Sequence, residues 1–146
     1  MQAIASDYRC VGEFITPEEE SDTEMQAVTI DVVISEKNGQ RVASVIFDGD
    51  EMFKDQPVQT QDNGQPKLEM IEQMVEISEE YPAYGKLAKK LYGTKINDIL
   101  AKTKNTIYEG FESDDSGVIL GHHYDADKNL IATEVSIAWF GTGICK

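Results

Sequence analysis

The stretch AVTIDVVISEKNGQRVASVIFD, residues 27–48, decides the fold predicted for this chain. From Val28 to Ile34 every second residue is aliphatic, which indicates a strand with one buried face. The dipeptide Asn38-Gly39 then supplies residues that tolerate positive φ in a tight turn, so residues 41–48 are expected to return antiparallel. The centre of the N-terminal half is therefore predicted to be a β-hairpin.

Two further segments flank this hairpin. Residues 8–15, YRCVGEFI, predict a strand, and a helix-start signal follows, with Thr16 as N-cap, Pro17 as first helical residue and Glu19 completing a capping box. The acidic residues after it provide no apolar stripe, so we expect one helical turn or an ordered acidic loop. On the other side, residues 48–66 are rich in turn residues and predict a long connection.

The hydrophobic period then changes from strand-like to helical. Apolar residues three and four positions apart predict three helices, over residues 66–80, 83–92 and 95–109. Pro82 separates the first two helices, because the residue before a proline is pushed out of the α region. Gly93 is expected to end the second.

A second hairpin is predicted at the end of the chain, with strands over residues 117–124 and 129–140 and a turn at residues 125–128. In this register Tyr124 lies opposite Asn129. The order of strands, helices and strands predicts an α+β fold, in which an antiparallel sheet of two or more hairpins carries about three helices on one face. No repeat or linker divides the sequence, so residues 1–146 are predicted to form a single domain.

The charge of the chain is unevenly distributed. The first 80 residues contain 19 Asp and Glu against five Lys and Arg, whereas the last 66 contain eight of each. Proteins bind nucleic acid and anionic membranes by neutralising their phosphates with Lys and Arg, so a negative field repels both. The same field attracts basic proteins. We expect the partner-binding residues to be the acids of three segments: Glu18, Glu19, Glu20, Asp22, Glu24, Asp48, Asp50, Glu51, Glu69, Glu72, Glu76, Glu79 and Glu80.

The sequence contains no convincing catalytic, cofactor-binding or metal-binding motif. His122 and His123 are adjacent, so on a strand they point to opposite faces and cannot together hold one metal ion. His122 is expected to be a hydrogen-bonded histidine at the edge of the core. Asp125, Asp127 and Asn129 copy the start of a calcium loop but lack its glycine and its final glutamate, and a hairpin turn explains them better.

The expected compartment is the cytoplasm. The N-terminus lacks a signal-peptide pattern, and no apolar run is long enough to span a bilayer. The two cysteines, Cys10 and Cys145, are accordingly expected to be free thiols rather than a disulfide.

Three functions remain open from the sequence. The first is a non-catalytic inhibitor or immunity-type protein, whose acidic surface mimics nucleic acid and occupies the basic groove of a nucleic-acid-processing partner. The second is a structural protein that self-associates through hairpin edges, with charge complementarity between the acidic half and the lysine-rich helices. The third is a small-ligand module or enzyme around His122, His123, Tyr124 and Asp125.

Overall fold

The computed structural model describes residues 8–15, 27–113, 116–138 and 141–145, with only the backbone described for residues 8–15 and 113. Three predicted features lie outside these residues: the helix start at Thr16 to Glu19, the acids from Glu18 to Glu24, and the strand end at Trp139 and Phe140.

The predicted N-terminal hairpin is confirmed. Strand β1 runs Tyr8–Ile15, β2 runs Ala27–Lys37 and β3 runs Gln40–Phe47, each antiparallel to the next. Asn38 and Gly39 have φ values of 54° and 78° and join β2 to β3 in a tight turn. The alternation from Val28 to Ile34 buries every second side chain between these strands and the opposite side of the sheet.

The long connection predicted over residues 48–66 is wrong, because two strands lie within it. Strand β4 runs Asp50–Pro57 and pairs with β3 through an irregular ladder. Strand β5 runs Gln59–Asp62. The sequence pattern did not predict these strands, because all four side chains of β5 and half of those of β4 are exposed and give no hydrophobic alternation.

Three helices follow, as predicted. Helix α1 runs Glu69–Glu80, α2 runs Pro82–Tyr92 and α3 runs Lys95–Lys102. The expected continuation of the third helix to residue 109 is wrong. Thr103 is already extended, with ψ 128°, and the β-branched and aromatic residues that follow suit a paired strand better than a helix.

Four strands complete the chain: β6 Asn105–Ser113, β7 Ser116–Tyr124, β8 Leu130–Ile137 and β9 Gly141–Ile144. The second predicted hairpin is β7 and β8. Tyr124 pairs with Leu130 rather than with Asn129, because the ladder shifts register next to the turn.

The described strands form two antiparallel sheets that join into one nine-stranded order, β4-β3-β2-β1-β9-β8-β7-β6-β5. The join between β1 and β9 is narrow, with Ile15 paired to Thr142. Strands β4 and β5 lie at opposite ends of this order but are separated in the chain only by Val58, whose N–H donates to the carbonyl of Arg41 at 3.0 Å. The sheet therefore curls until its two ends meet, and the segment from β4 to β5 closes it.

Each face of the curled sheet has its own hydrophobic core. Between the two halves of the sheet lies an inner core, formed by Ile30, Val32, Ile34, Ala43, Val45, Phe111, Val118, Leu120, Val135 and Ile137. Against the outer face the helices form an outer core, made of Ile71, Met74, Tyr84, Ala88, Tyr92, Ile99, Ala132 and Ile144. The expected α+β class, with helices packed on one face of an antiparallel sheet, is confirmed.

The cysteine prediction is wrong. Cys145, which follows β9, is disulfide-bonded, and the sequence contains one other cysteine, Cys10. The free thiols were expected from the absence of a secretory signal, which is evidence about targeting and not about the distance between two cysteines in the fold. None of the three described helices has the length and apolar composition needed to cross a bilayer.

Candidate functional site

Helix α1 carries an exposed row of glutamates. Ile71 and Met74 are buried on its inner side, so its outer side presents a charged stripe to solvent. The stripe consists of Glu69, Glu72, Glu76, Glu79 and Glu80, which we call the α1 acidic face. Successive glutamates three or four residues apart rise by about 4.5 to 6 Å along the helix axis.

No described cation neutralises the α1 acidic face. Among the described residues, none of its five glutamates has an ion-pair partner within 4.0 Å, and the last turn of α1 contains no basic residue. The neighbouring helix α2 has exposed lysines that form no ion pair with the described residues: Lys86, Lys89 and Lys90. Acidic α1 and basic α2 are therefore adjacent helices whose charges stay unpaired.

The other predicted acids are separate from α1 in the described structure. Asp48, Asp50 and Glu51 are exposed at the turn between β3 and β4, where the N–H of Asp48 donates to the carbonyl of Thr29. Helix α1 makes its main helix contacts with α2 and α3, and no comparable contact joins it to β3 or β4 within the described ranges. The fold thus brings together the five α1 glutamates and leaves the turn acids as a second group.

His122 faces the interior of the sheet in a buried polar network. Its Nε2 donates to Oε1 of Glu109 at 2.7 Å, and its Nδ1 is hydrogen-bonded to Oγ1 of Thr133 at 2.9 Å. Arg41 on β3 donates to both carboxylate oxygens of Glu109, through Nε to Oε2 and through Nη2 to Oε1 at 3.1 Å. The expectation that His122 is a hydrogen-bonded histidine at the edge of the core is confirmed.

Glu109 is held as a carboxylate by this network. Burial alone would raise its pKa, but the hydrogen bonds from His122 and Arg41 and the positive charge of Arg41 outweigh burial and lower the pKa to about 2. Its side chain is 6% exposed and that of Arg41 is 16% exposed, so the pair is largely removed from water. The network ties β3 to β6 and β7 across the inner space of the sheet.

His123 faces the opposite way and lies in a second network beneath the helices. Its Nε2 is 2.9 Å from Oε1 of Glu134, and its Nδ1 is 3.0 Å from Oγ1 of Thr106. The backbone N–H of Lys67 donates to the same Thr106 oxygen, which leaves the hydroxyl hydrogen for the histidine. The second network therefore attaches the segment before α1 to the sheet.

Glu134 is the acidic residue of this second network, and its side chain is fully buried. Burial raises its pKa, the hydrogen bond from His123 offsets only part of that effect, and the charge of Glu69 raises it further. Its Oε2 is buried and has no hydrogen-bond partner among the described residues. Glu109 and Glu134 are thus buried glutamates with opposite pKa shifts on opposite faces of one sheet.

The two networks use the same residue types in crossed positions. His122 takes its glutamate from β6 and its threonine from β8, whereas His123 takes its threonine from β6 and its glutamate from β8. Threonine, histidine and glutamate can form a nucleophile, a base and an orienting group. Thr106 and Thr133 are only 0% and 4% exposed, so a substrate in solvent does not reach their hydroxyls. The hydrogen bonds of the two networks instead fix the register between β6, β7 and β8.

The aspartate-rich turn after β7 is a backbone-bonded turn. Oδ1 of Asp125 accepts hydrogen bonds from the N–H groups of Asp127 and Asn129, both at 2.9 Å. No group of three or more potential metal ligands occurs in the part of the chain that the structure describes.

Sequence reasoning missed Arg41, Glu109 and Glu134. Glu109 was assigned to a helix, and its partner Arg41 is 68 positions away, which no local pattern reveals. A signal was available for Glu134, because a carboxylate within the β-rich run LIATEVSI must either face solvent or find a buried partner. The opposite orientation of His122 and His123 was predicted correctly from strand geometry.

Comparison with known proteins identifies no relative. No family model, no curated protein and no solved structure matches this chain.

Proposed function

We propose that this protein is a non-catalytic acidic interaction protein, an inhibitor or immunity-type protein whose α1 acidic face occupies the basic groove of a nucleic-acid-processing partner. The α1 acidic face carries this proposal, since it holds five exposed glutamates without a described counter-ion. Like charges at this spacing destabilise an isolated helix by a few tenths of a kcal/mol per pair. A partner with a matching row of cations removes that repulsion on binding.

The net charge of −14 supports the same proposal through association kinetics. A field of one sign steers an oppositely charged partner and raises its association rate, and this effect weakens as salt is added. The nucleic-acid-mimic hypothesis gives a role to the regular row of five glutamates on one face of α1. Direct binding of nucleic acid or of an anionic membrane is disfavoured for the same electrostatic reason.

The self-assembly alternative has less geometric support. Both strands of each predicted hairpin are paired on both sides, β2 and β3 within β1 to β4 and β7 and β8 within β6 to β9. The remaining edge of β4 contains Pro57 and Asp55 with φ 49°, and its ladder to β3 is irregular, features that discourage pairing with another chain. Homo-oligomerisation through the adjacent acidic and basic helices stays a possibility that light scattering measures directly.

The compartment in which the partner is met is also a proposal. The sequence predicted the cytoplasm, but a disulfide at Cys145 is the kind of bond that persists in oxidising compartments. We therefore favour a partner encountered under oxidising conditions. A thiol assay on protein purified from its native source without reductant tests this, because free thiols in the folded protein would return the assignment to the cytoplasm.

The binding proposal is tested by capture with charge-matched variants. Immobilised protein should retain a basic partner from lysate at low salt, release it at about 0.5 M salt, where the Debye length is only a few Å, and release it when duplex DNA competes. The α1 variant removes three charges from the acidic face and the control removes three exposed charges elsewhere. The α1 variant combines Glu72→Gln, Glu76→Gln and Glu79→Gln; the control combines Glu36→Gln, Glu112→Gln and Asp127→Asn.

The outcomes separate the proposal from general acidity. Loss of capture in the α1 variant with retention in the control supports the α1 acidic face as the binding surface. Equal retention by both variants, or capture that neither salt nor duplex DNA reverses, would contradict it.

A further inference from the structure

Strand β5 exposes side chains on both of its faces. Gln59 and Gln61 lie on the outer face of the sheet, and Thr60 and Asp62 lie on the inner face, yet all four are exposed. A strand within a sheet normally buries at least one face in a core, and β5 contributes no residue to either hydrophobic core. Asp62 accepts hydrogen bonds from Gly64 and Asn105, and the side chains of Gln59, Thr60 and Gln61 are left for a role other than packing.

The closure of the sheet leaves a cleft beside β5. The pairing of β4 with β3 ends at Pro57, and the pairing of β5 with β6 begins at Gln59, which lies opposite Gly110. A cleft of about 600 Å³ lies along this junction, between the end of β4, β5, β6 and Ile119 of β7. Its volume is in the range of small-ligand sites, roughly 300 to 1,000 Å³.

Uncharged polar groups converge on this cleft without partners. Gln59, Gln61 and Tyr108 line it and share the outer face of the sheet, and none of their side chains has a hydrogen bond to the described residues. Tyr108 is paired with Gln61 across the ladder. Burial and the charges of nearby glutamates raise the pKa of Tyr108 to about 12, so its hydroxyl both donates and accepts at neutral pH.

The remaining lining restricts the chemistry of a ligand. The described residues that line the cleft include no lysine or arginine, which disfavours phosphates and carboxylates as ligands. The carboxylate of Glu109 is neutralised by its own network, and Glu112 is exposed to solvent. Pro57 and Ile119 add apolar surface, and Ile119 is an exposed large hydrophobic side chain at 39%. The cleft thus combines neutral donors and acceptors with patches that suit C–H groups.

We propose that this cleft binds a neutral polyhydroxylated ligand, a short oligosaccharide. Amide and hydroxyl side chains that both donate and accept match sugar hydroxyls, and the tyrosine ring with the aliphatic side chains matches the C–H faces of the sugar rings. An extended peptide is less favoured, because Pro57 and the irregular β4 ladder provide no regular edge for strand addition. This site is distinct from the α1 acidic face and goes beyond the function proposed above.

The test uses ¹⁵N-labelled full-length protein, whose glutamine side-chain amides report directly on the cleft. Cellotriose, maltotriose and N,N′,N″-triacetylchitotriose are each titrated to about 10 mM, a range that detects the weak affinity expected of a few neutral hydrogen bonds. We expect at least one sugar to shift the side-chain amides of Gln59 and Gln61 and the backbone amide of Tyr108 in a saturable manner.

Variants at exposed positions make the test specific. The double variant Gln59→Ala, Gln61→Ala should weaken binding about tenfold or more, since it removes two hydrogen-bonding groups, whereas Gln73→Ala, exposed on α1, should leave it unchanged. Three results would each overturn the proposal: no saturable cleft shifts with any of the sugars, shifts that persist unchanged in the double variant, or cleft shifts produced by an uncharged serine–valine hexapeptide and by none of the sugars.

Discussion

The glutamine variant of Glu109 is expected to destabilise the protein in a pH-dependent way. The pKa of this carboxyl is lowered from 4.5 to about 2 by its buried contacts with His122 and Arg41. At about 1.4 kcal/mol for each tenfold change in proton affinity, the ionised group contributes about 3 kcal/mol to the free energy of unfolding at neutral pH. Glu109→Gln should therefore lower the unfolding free energy by about that amount at pH 7.

The sign of the pH dependence follows from the lowered pKa. A carboxyl whose pKa is lower in the folded state contributes fully above its unfolded pKa, and the contribution is lost as the pH falls through the folded pKa. The difference between the wild type and Glu109→Gln should accordingly shrink from about 3 kcal/mol at pH 7 to about 1 kcal/mol at pH 3. Urea unfolding followed by circular dichroism at both pH values measures it.

Two matched glutamates serve as controls. Glu112→Gln changes an exposed residue on the same strand as Glu109, and its effect should stay within about 0.5 kcal/mol. Glu134→Gln should behave in the opposite way to Glu109→Gln, because burial raises the pKa of Glu134 and its neutral form is the better tolerated one, so replacement should stabilise the protein most at neutral pH. If Glu109→Gln has the stability of the wild type at pH 7, or its effect does not shrink with acid, the assigned network is refuted.

Three further changes test the fold. Gly110→Ala should lower the unfolding free energy by about 1 to 3 kcal/mol in urea unfolding, because the new Cβ would lie 2.5 Å from the carbonyl oxygen of Val118; unchanged stability would contradict the close approach of β6 and β7. Reduction of the disulfide of Cys145 should lower the melting temperature, since a disulfide typically contributes about 2 to 4 kcal/mol, and an identical melting curve with reductant would argue against the bond. Ile71→Ala should lower the unfolding free energy by about 2 to 5 kcal/mol if α1 docks through this fully buried side chain, and a loss below about 1 kcal/mol would mean that it does not.

The parts of the fold with strong local patterns were predictable from the sequence. Aliphatic alternation and the Asn38-Gly39 turn predicted the first hairpin. Apolar residues at helical spacing, with Pro82 between the two runs, predicted α1 and α2. The same reasoning failed where a segment is held by a partner distant in the chain and not by a hydrophobic pattern of its own. Strand β5 has no buried face, so its four polar residues look like a loop until the closure of the sheet supplies a partner strand.

The candidate sites divide in the same way. The α1 acidic face could be predicted because helical periodicity alone puts its glutamates opposite the buried side of the helix. The partners of His122 and His123 could not, since the contacts of the His122 network span 11 to 68 positions in the chain and those of His123 span 11 to 17. The cleft beside β5 forms only where the two ends of the sheet meet, and no local sequence pattern predicts that the ends meet.

The measurement that most directly tests the proposed role of the α1 acidic face is the association rate of a captured partner as a function of ionic strength. For the wild type and for the control variant at Glu36, Glu112 and Asp127, the rate should fall steeply as salt is raised from about 50 mM to about 500 mM. For the variant with Glu72→Gln, Glu76→Gln and Glu79→Gln, the rate at low salt should be lower than that of the control variant and should fall less steeply as salt is raised. Equal salt dependence in the two variants would contradict the account, because it would show that total charge, and not the α1 acidic face, guides the partner.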